Sequence, residues 1–188
     1  MSMDATDSVL GGASVTSAAM VGTPAPDLSM GARARFIGGE NSPVSLLLRS
    51  IEPAVMENFE ALQGAAWEAA DPVILEMCRL RLADLMGDEQ GAAYRTPAAL
   101  AAGLDEAKVA VLADWWRSPL FEERERAHLA FAEQFNTSVA HVTDPDVEAL
   151  LEHLTERQVG DFVGALYAVE FEARVRMVAG RVLAEEAV

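Results

Sequence analysis

The sequence predicts an all-α domain, and three observations support that prediction. From residue 43 onward, apolar residues recur at helical spacing in one segment after another. Several of these segments open with a capping residue or a proline, and the most apolar one ends at a glycine. The chain shows no alternating strand pattern of useful length and no glycine-rich phosphate-binding loop.

The helices before residue 88 are predicted from their start and stop signals. The stretch "SPVSLLLRSIEPAVMENFEALQGAAWEAA" predicts a short helix, a break at Pro53 and an amphipathic helix to about Ala70. In "DPVILEMCRLRLADLMG", Asp71 is the expected N-cap, Pro72 the first helical residue and Gly87 the end. Because this segment is apolar on almost every side, we expect residues 71–86 to form the central buried helix.

The remaining helices follow in short order. A helix restarts at Asp88 and runs to about Arg95, where Pro97 interrupts it. The stretches "LDEAKVAVLADWW" and "SPLFEERERAHLAFAEQFN" each predict one helix, the second opened by Ser-Pro. "TDPDVEALLEHL" predicts another, and a long C-terminal helix begins where Thr155 and Gln158 have capping-box spacing.

Length and composition favour one domain preceded by an N-terminal arm. The 188 residues are 51% hydrophobic, which suits a single globular domain, assigned to residues 41–188. Residues 1–40 are rich in Gly, Ser, Thr and Pro and lack any helical or strand period. Two interpretations of this arm stay open: a flexible tail, or a segment that lies on a neighbouring subunit.

Charge and cysteine content exclude several functional classes. Fourteen basic residues stand against thirty acidic ones, a formal net charge of −16, so nucleic acid is not an expected partner. No apolar run of about 18 residues occurs, and no basic residue precedes Arg33, so neither a membrane span nor a secretory signal is expected. The single cysteine, Cys78, excludes an internal disulfide and favours a reducing cytoplasm.

Three segments resemble one known family in order and spacing. Glu76 is followed by Asp88, Gly91 and Arg95, "WWRSPLFEERERAHLAFAEQF" comes next, and "EFEARVRM" lies near the C-terminus. Over about residues 44–182, the chain resembles the carboxymuconolactone decarboxylase family, which includes the alkylhydroperoxidase D-like proteins. The resemblance implies a helical bundle that assembles as a homotrimer or a hexamer.

The resemblance fails at the reactive positions of that family. Its signature is a glutamate, eleven residues, a cysteine, two residues, a second cysteine, three residues and a histidine. In this chain Asp88 and Gly91 stand at the two cysteine positions and Arg95 at the histidine position. Because an aspartate and a glycine cannot perform a thiol–disulfide cycle, thiol peroxidase activity is not expected. Cys78, on the apolar helix and without a resolving partner, is interpreted as a small core residue.

A catalytic role is the first hypothesis for the residues at these positions. Glu76 is proposed as a general base, and Arg95 as the planar fork that binds a substrate carboxylate. Asp88, Gly91 and Arg95 share one helix face, and Gly91 would leave room for a small ligand. Trp115 and His128 are candidate substrate contacts. This set suits a cofactor-free, metal-free lyase or isomerase acting on a small anionic or lactone-type metabolite.

A structural role for the same residues is the alternative. Asp88 is a good N-cap residue, and Arg95 could form a buried ion pair with Glu76 or Asp88. His128 could be a satisfied core histidine, and one of Trp115 and Trp116 is expected in the core. The protein would then be a non-catalytic binding or scaffold subunit. An open cavity reached by both Glu76 and Arg95 would favour the enzyme, and a closed Glu–Arg pair the scaffold.

Overall fold

The chain folds into helices that pack around one central helix. The computed structural model describes residues 46, 47, 49, 50 and 52–186, with side chains as far as Val182. These residues contain no β-strand, so the predicted all-α class is confirmed. Residues 52–186 form eight α-helices: α1 Pro53–Ala69, α2 Pro72–Met86, α3 Glu89–Ala93, α4 Pro97–Ala101, α5 Glu106–Ala110, α6 Glu123–Ser138, α7 Asp144–Leu151 and α8 Glu156–Glu186.

Helix α2 is the central element, and its ends lie where the sequence predicts them. The Asp71 carboxylate accepts hydrogen bonds from the N–H groups of Val73 and Ile74, at 3.0 and 3.2 Å. Gly87 ends the helix in the left-handed region, at φ +71°, where glycine carries no Cβ penalty. Nine of the fifteen residues are buried, which confirms the prediction of a central buried helix.

Helices α1 and α8 pack side by side in opposite directions. Met56, near the start of α1, lies in one apolar cluster with Ala179 of α8. Further along α1, Gln63 Nε2 donates to the carbonyl oxygen of Ala168 at 2.7 Å. The N-terminus of α8 carries the predicted capping box, since the Gln158 side chain accepts from Thr155 N at 2.9 Å and Thr155 Oγ1 accepts from Gln158 N at 3.3 Å.

Two predicted helices are shorter than expected. The helix predicted from Leu104 ends at Ala110 and passes into a 3₁₀ turn over residues 112–114. The Ser-Pro pair at 118–119 does not open α6, which begins at Glu123. Residues 115–121 instead wrap around Arg126, whose guanidinium donates to the carbonyl oxygens of Trp115, Trp116, Ser118 and Phe121. A side chain from the following helix therefore fixes a segment that sequence spacing alone assigned to a helix.

The predicted N-terminal arm, residues 1–40, lies outside the described residues. Within the described part, none of the helices combines the length and the apolar character that crossing a bilayer requires.

Candidate functional site

The carboxylate of Glu76 is fully enclosed and fully hydrogen-bonded. It lies on α2 with 0% of its surface exposed. Arg79, one helical turn later, donates to both oxygens: Nη2 to Oε1 at 2.8 Å and Nε to Oε2 at 2.9 Å. Thr96, at the start of α4, adds its backbone N–H and its hydroxyl, each at 3.0 Å. Four charge-assisted or neutral hydrogen bonds thus occupy the acceptor sites of this carboxylate.

Arg79 also holds the chain that follows α2. Its Nη1 donates to the carbonyl oxygen of Gly91 at 2.9 Å, and its Nη2 to that of Tyr94 at 2.8 Å. Glu76 and Arg79 therefore fasten α3 and the start of α4 against the central helix. Since a guanidinium has five N–H donors in a fixed fork, one arginine can serve both the carboxylate and the two carbonyls.

Asp88 forms the second buried ion pair. Its carboxylate accepts from Gly91 N at 3.0 Å, which makes it the N-cap of α3. The same carboxylate pairs with the guanidinium of Arg176 on α8. Arg176 Nη1 in turn donates to Glu172 Oε1 at 3.3 Å. Glu76, Arg79, Asp88, Glu172 and Arg176 are all buried, and we refer to these five residues as the buried ionic cluster.

Gly91 joins the two ion pairs rather than leaving space for a ligand. Its N–H donates to Asp88 and its carbonyl oxygen accepts from Arg79. A Cβ at this position would lie 2.6 Å from Arg176 Nη2 and closer still to Asp88 Oδ2. The expected open volume is therefore filled by a carboxylate and a guanidinium, and a side chain at this position would force that ion pair to shift.

Arg95 does not pair with Glu76 or Asp88, as one interpretation of the sequence expected. Its guanidinium donates to Glu106 Oε1 at 3.1 Å and to the carbonyl oxygens of Ala92 and Tyr94. It lines a cleft of about 220 Å³ that it shares with Arg81 and Asp84 and with apolar side chains of α2 and α5. The arginines that neutralise Glu76 and Asp88 are Arg79 and Arg176, and Arg95 is half-buried and pairs with Glu106 instead.

Trp115 and His128, the two candidate substrate contacts, have hydrogen-bond partners outside the buried ionic cluster. Trp115 is buried, and its Nε1 donates to Glu133 Oε1 at 2.7 Å, while Trp116 is exposed. His128 is buried, with its Nδ1 2.6 Å from the carbonyl oxygen of Arg124 and its ring edge-on to Phe162. Burial lowers the pKa of His128 from its usual range.

Two further titratable groups near the centre of the fold are shifted by their surroundings. Cys78 is enclosed on α2, and burial raises the pKa of its thiol so far that the thiolate is strongly disfavoured. Burial, followed by the negative charge of Glu76, raises the pKa of the half-buried Tyr94 hydroxyl. Within the described residues, no three His, Cys, Asp or Glu side chains converge in a way that could hold a metal ion.

Sequence reasoning missed Arg79, Thr96, Glu172 and Arg176. The signal for Arg79 is present, because it lies three residues after Glu76 on an otherwise apolar helix. The i,i+4 spacing of Glu172 and Arg176 also predicts their mutual contact. No local signal predicts that Arg176 meets Asp88, which lies 88 residues earlier in the chain.

Comparison with known proteins establishes the fold. The sequence matches no protein-family model, and no curated protein sequence matches it significantly. Among solved structures, it resembles a protein of Agrobacterium tumefaciens that is described as of unknown function and suggested to be the antioxidant defence protein AhpD. The two share 18% sequence identity and a TM-score of 0.57, over 69% of this chain and 90% of that chain. At this identity the similarity establishes only the fold, and the chain has an AhpD-like all-α fold.

Proposed function

We propose that this protein is a non-catalytic binding or scaffold member of the carboxymuconolactone decarboxylase and AhpD-like group. The observation that carries the proposal is the state of Glu76, which is 0% exposed and accepts four hydrogen bonds from Arg79 and Thr96. A general base must come within hydrogen-bond distance of the proton that it removes. An enclosed carboxylate whose acceptor sites are filled supports a structural role.

The charge balance around Arg95 argues against an anion site there. Arg95 and Arg81 contribute two positive charges to the cleft and its edge. Three carboxylates pair with them, since Glu106 binds Arg95 while Asp84 and Glu133 bind Arg81 at 2.6 Å each. An anionic substrate would have to displace a carboxylate from one of these arginines, at the cost of leaving that carboxylate without its partner.

The proposed function involves no thiol chemistry. The chain has one cysteine, and a thiol–disulfide cycle within one chain requires two. Cys78 is buried with a raised thiol pKa, so it lacks both the access and the thiolate that attack on a peroxide requires. We expect a thiol reagent such as Ellman's reagent to react with Cys78 only after unfolding, and Cys78→Ala to leave the rate of hydroperoxide consumption unchanged.

A cofactor-free lyase or isomerase is the second candidate function. The observation in its favour is the cleft of about 220 Å³ lined by Arg95, whose lining also includes apolar side chains of α2 and α5. A small carboxylate or lactone is the class of metabolite that fits a site of this size and composition. In this alternative the cleft binds the substrate, and Arg95 holds its carboxylate in place of Glu106.

A ligand screen on the wild type and two variants separates the two candidate functions. Small aromatic and aliphatic carboxylates and lactones are screened by thermal shift, where a ligand at a hundred times its Kd stabilises by about 2.7 kcal/mol. For a non-catalytic binding or scaffold member, no compound is consumed, Glu76→Gln lowers the Tm, and Arg95→Ala leaves it nearly unchanged. A compound that stabilises the wild type, loses that effect in Arg95→Ala and is turned over would instead establish the enzyme.

Self-association forms part of the proposal. The family resemblance implies a homotrimer or a hexamer, and exposed apolar side chains along α8 support an interface there: Tyr167, Val178 and Val182. We expect sedimentation at micromolar concentration to give a species larger than the monomer. A purely monomeric species would contradict the assembly role.

A further inference from the structure

An apolar groove lies between α1 and α8. It has a volume of about 410 Å³. Its apolar lining comes from Val55, Met56, Phe59, Leu62, Phe171 and Val175, and we call it the α1/α8 groove. Phe171 meets Phe59 edge to face at 5.5 Å and stacks on Tyr167 at 6.2 Å. The groove is therefore a preformed apolar surface with aromatic walls.

Three of the apolar side chains that line this groove are exposed, on a chain that is acidic overall. Val55 is 65% exposed, and Leu62 and Phe171 are also exposed. Covering such side chains contributes about 25 cal/mol per Å² of apolar area removed from water. A contiguous apolar patch on a protein with net charge −16 indicates a surface that another apolar segment covers.

The described chain begins at the edge of the α1/α8 groove. Leu47 packs against the cluster of Met56, Phe59 and Ala179, and the first two of these line the groove. Arg49 pairs with Glu60 of α1. The preceding residues therefore join the described chain beside the groove, so they need no long path to reach it.

The sequence just before this point has the composition of a groove occupant. Phe36 is the only aromatic residue among residues 1–45, and Ile37 follows it directly. Ile37 lies nine residues before Leu46, a distance that an extended chain spans up to about 30 Å. Arg33 and Arg35 are the only basic residues before Arg49. They complement the exposed acidic residues Glu52 and Glu57 at the start of α1.

We infer that residues 33–37 of the same chain dock on the α1/α8 groove. The Phe36 and Ile37 side chains fill the apolar floor, and the two arginines meet the acidic start of α1. This contact covers part of the apolar face from within one protomer. The exposed residues Val178 and Val182 of α8 do not line the groove, and they stay open to a second copy.

Disulfide trapping in the full chain tests the contact. Ile37→Cys is combined with Val55→Cys at the groove, and in a matched control with Val139→Cys, which is 64% exposed but does not line the groove. Cys78 is buried and does not compete. Docking raises the effective concentration of the two thiols, so we expect the 37–55 pair to oxidise within one chain at least about tenfold faster than the 37–139 pair.

Three results would overturn the inference. Equal oxidation rates for the two pairs would mean that residue 37 has no preferred position. A 37–55 disulfide found only between chains would assign the groove to the segment of a second copy. An apolar small molecule that copurifies and is released only on unfolding would assign the groove to a ligand.

A dye-binding measurement provides an independent readout. Phe36→Asp in the full chain should expose the groove and increase the fluorescence of an apolar dye severalfold. Val15→Asp, which removes an apolar residue elsewhere in the N-terminal segment, should leave the fluorescence at the wild-type level. Equal fluorescence of Phe36→Asp and the wild type would contradict docking.

Discussion

The buried ionic cluster and the exposed apolar face of α1 and α8 depart from the usual distribution of residues in opposite directions. The cluster places five charged residues inside the fold, and the face leaves valine, leucine, tyrosine and phenylalanine side chains at the surface. The buried charges satisfy one another through Arg79, Arg176 and the carbonyl oxygens that they bind. The apolar side chains of the α1 and α8 face, in contrast, remain exposed to solvent within the described chain.

This difference indicates where each region acts. A buried ion pair that is complete fixes the geometry of the fold, although the desolvation of its charges cancels much of its contribution to stability. An exposed apolar surface contributes favourable free energy only when another segment or molecule binds to it and removes it from water. Under the proposed scaffold role, Glu76 and Asp88 therefore serve the architecture of the fold, and the capacity for binding lies on the α1 and α8 surface.

The largest expected effect comes from breaking the cluster at Arg79. In Arg79→Leu the Glu76 charge and the carbonyl oxygens of Gly91 and Tyr94 lose their donor, so we expect a loss of about 3–5 kcal/mol in the free energy of unfolding. The control is Arg117→Leu, which removes an arginine with the same i,i+3 spacing from an exposed pair with Asp114. The control should lose less than about 1 kcal/mol. Urea denaturation measures both, and equal losses would contradict the structural role of the cluster.

A smaller effect is expected from adding one methyl group at Gly91. The Cβ of Gly91→Ala would press on Asp88 and Arg176, so we expect destabilisation of about 1–3 kcal/mol from overpacking. In Gly160→Ala, on α8, the Cβ meets nothing within 4 Å. That control should be stabilised by about 0.5–1 kcal/mol, because alanine favours a helix interior over glycine. If Gly91→Ala were as stable as Gly160→Ala, the close approach of the ion pair would be wrong.

Local signals in the sequence account for what could be predicted. The Asp71 cap, the Gly87 stop and the Thr155–Gln158 box involve residues at most four apart or one conformational preference, and each lies where it was expected. The site depends on longer separations. Twenty residues separate Thr96 from Glu76, and 88 separate Arg176 from Asp88. The motif spacing offers Arg95 as a possible partner of Glu76 or Asp88, whereas the actual partner of Glu76 is Arg79, at i,i+3 spacing on the same helix.

His128 is a buried titratable group without an ion pair, and its lowered pKa predicts how stability depends on pH. Because burial lowers its pKa in the folded state, the unfolded chain binds the proton more tightly. The stabilisation is present above the unfolded value of about 6.5 and is lost as the pH falls through that value toward the folded pKa. We expect the free energy of unfolding to decrease between pH 7.5 and pH 5.5, and His128→Gln to flatten this dependence. His141→Gln, at an exposed position, should keep the wild-type slope.

The smallest effect on stability is expected on the apolar face, where the effect on assembly should be the greatest. Val178 is 65% exposed on α8, so Val178→Asp removes little buried area and should change the free energy of unfolding by no more than about 0.5 kcal/mol. If this face joins copies of the chain, an aspartate within the interface must be desolvated, and sedimentation should shift toward the monomer. The control is Val139→Asp, which changes an equally exposed valine away from α8 and should keep the wild-type assembly. A wild-type sedimentation profile for Val178→Asp would remove α8 from the interface while leaving the role of the buried ionic cluster intact.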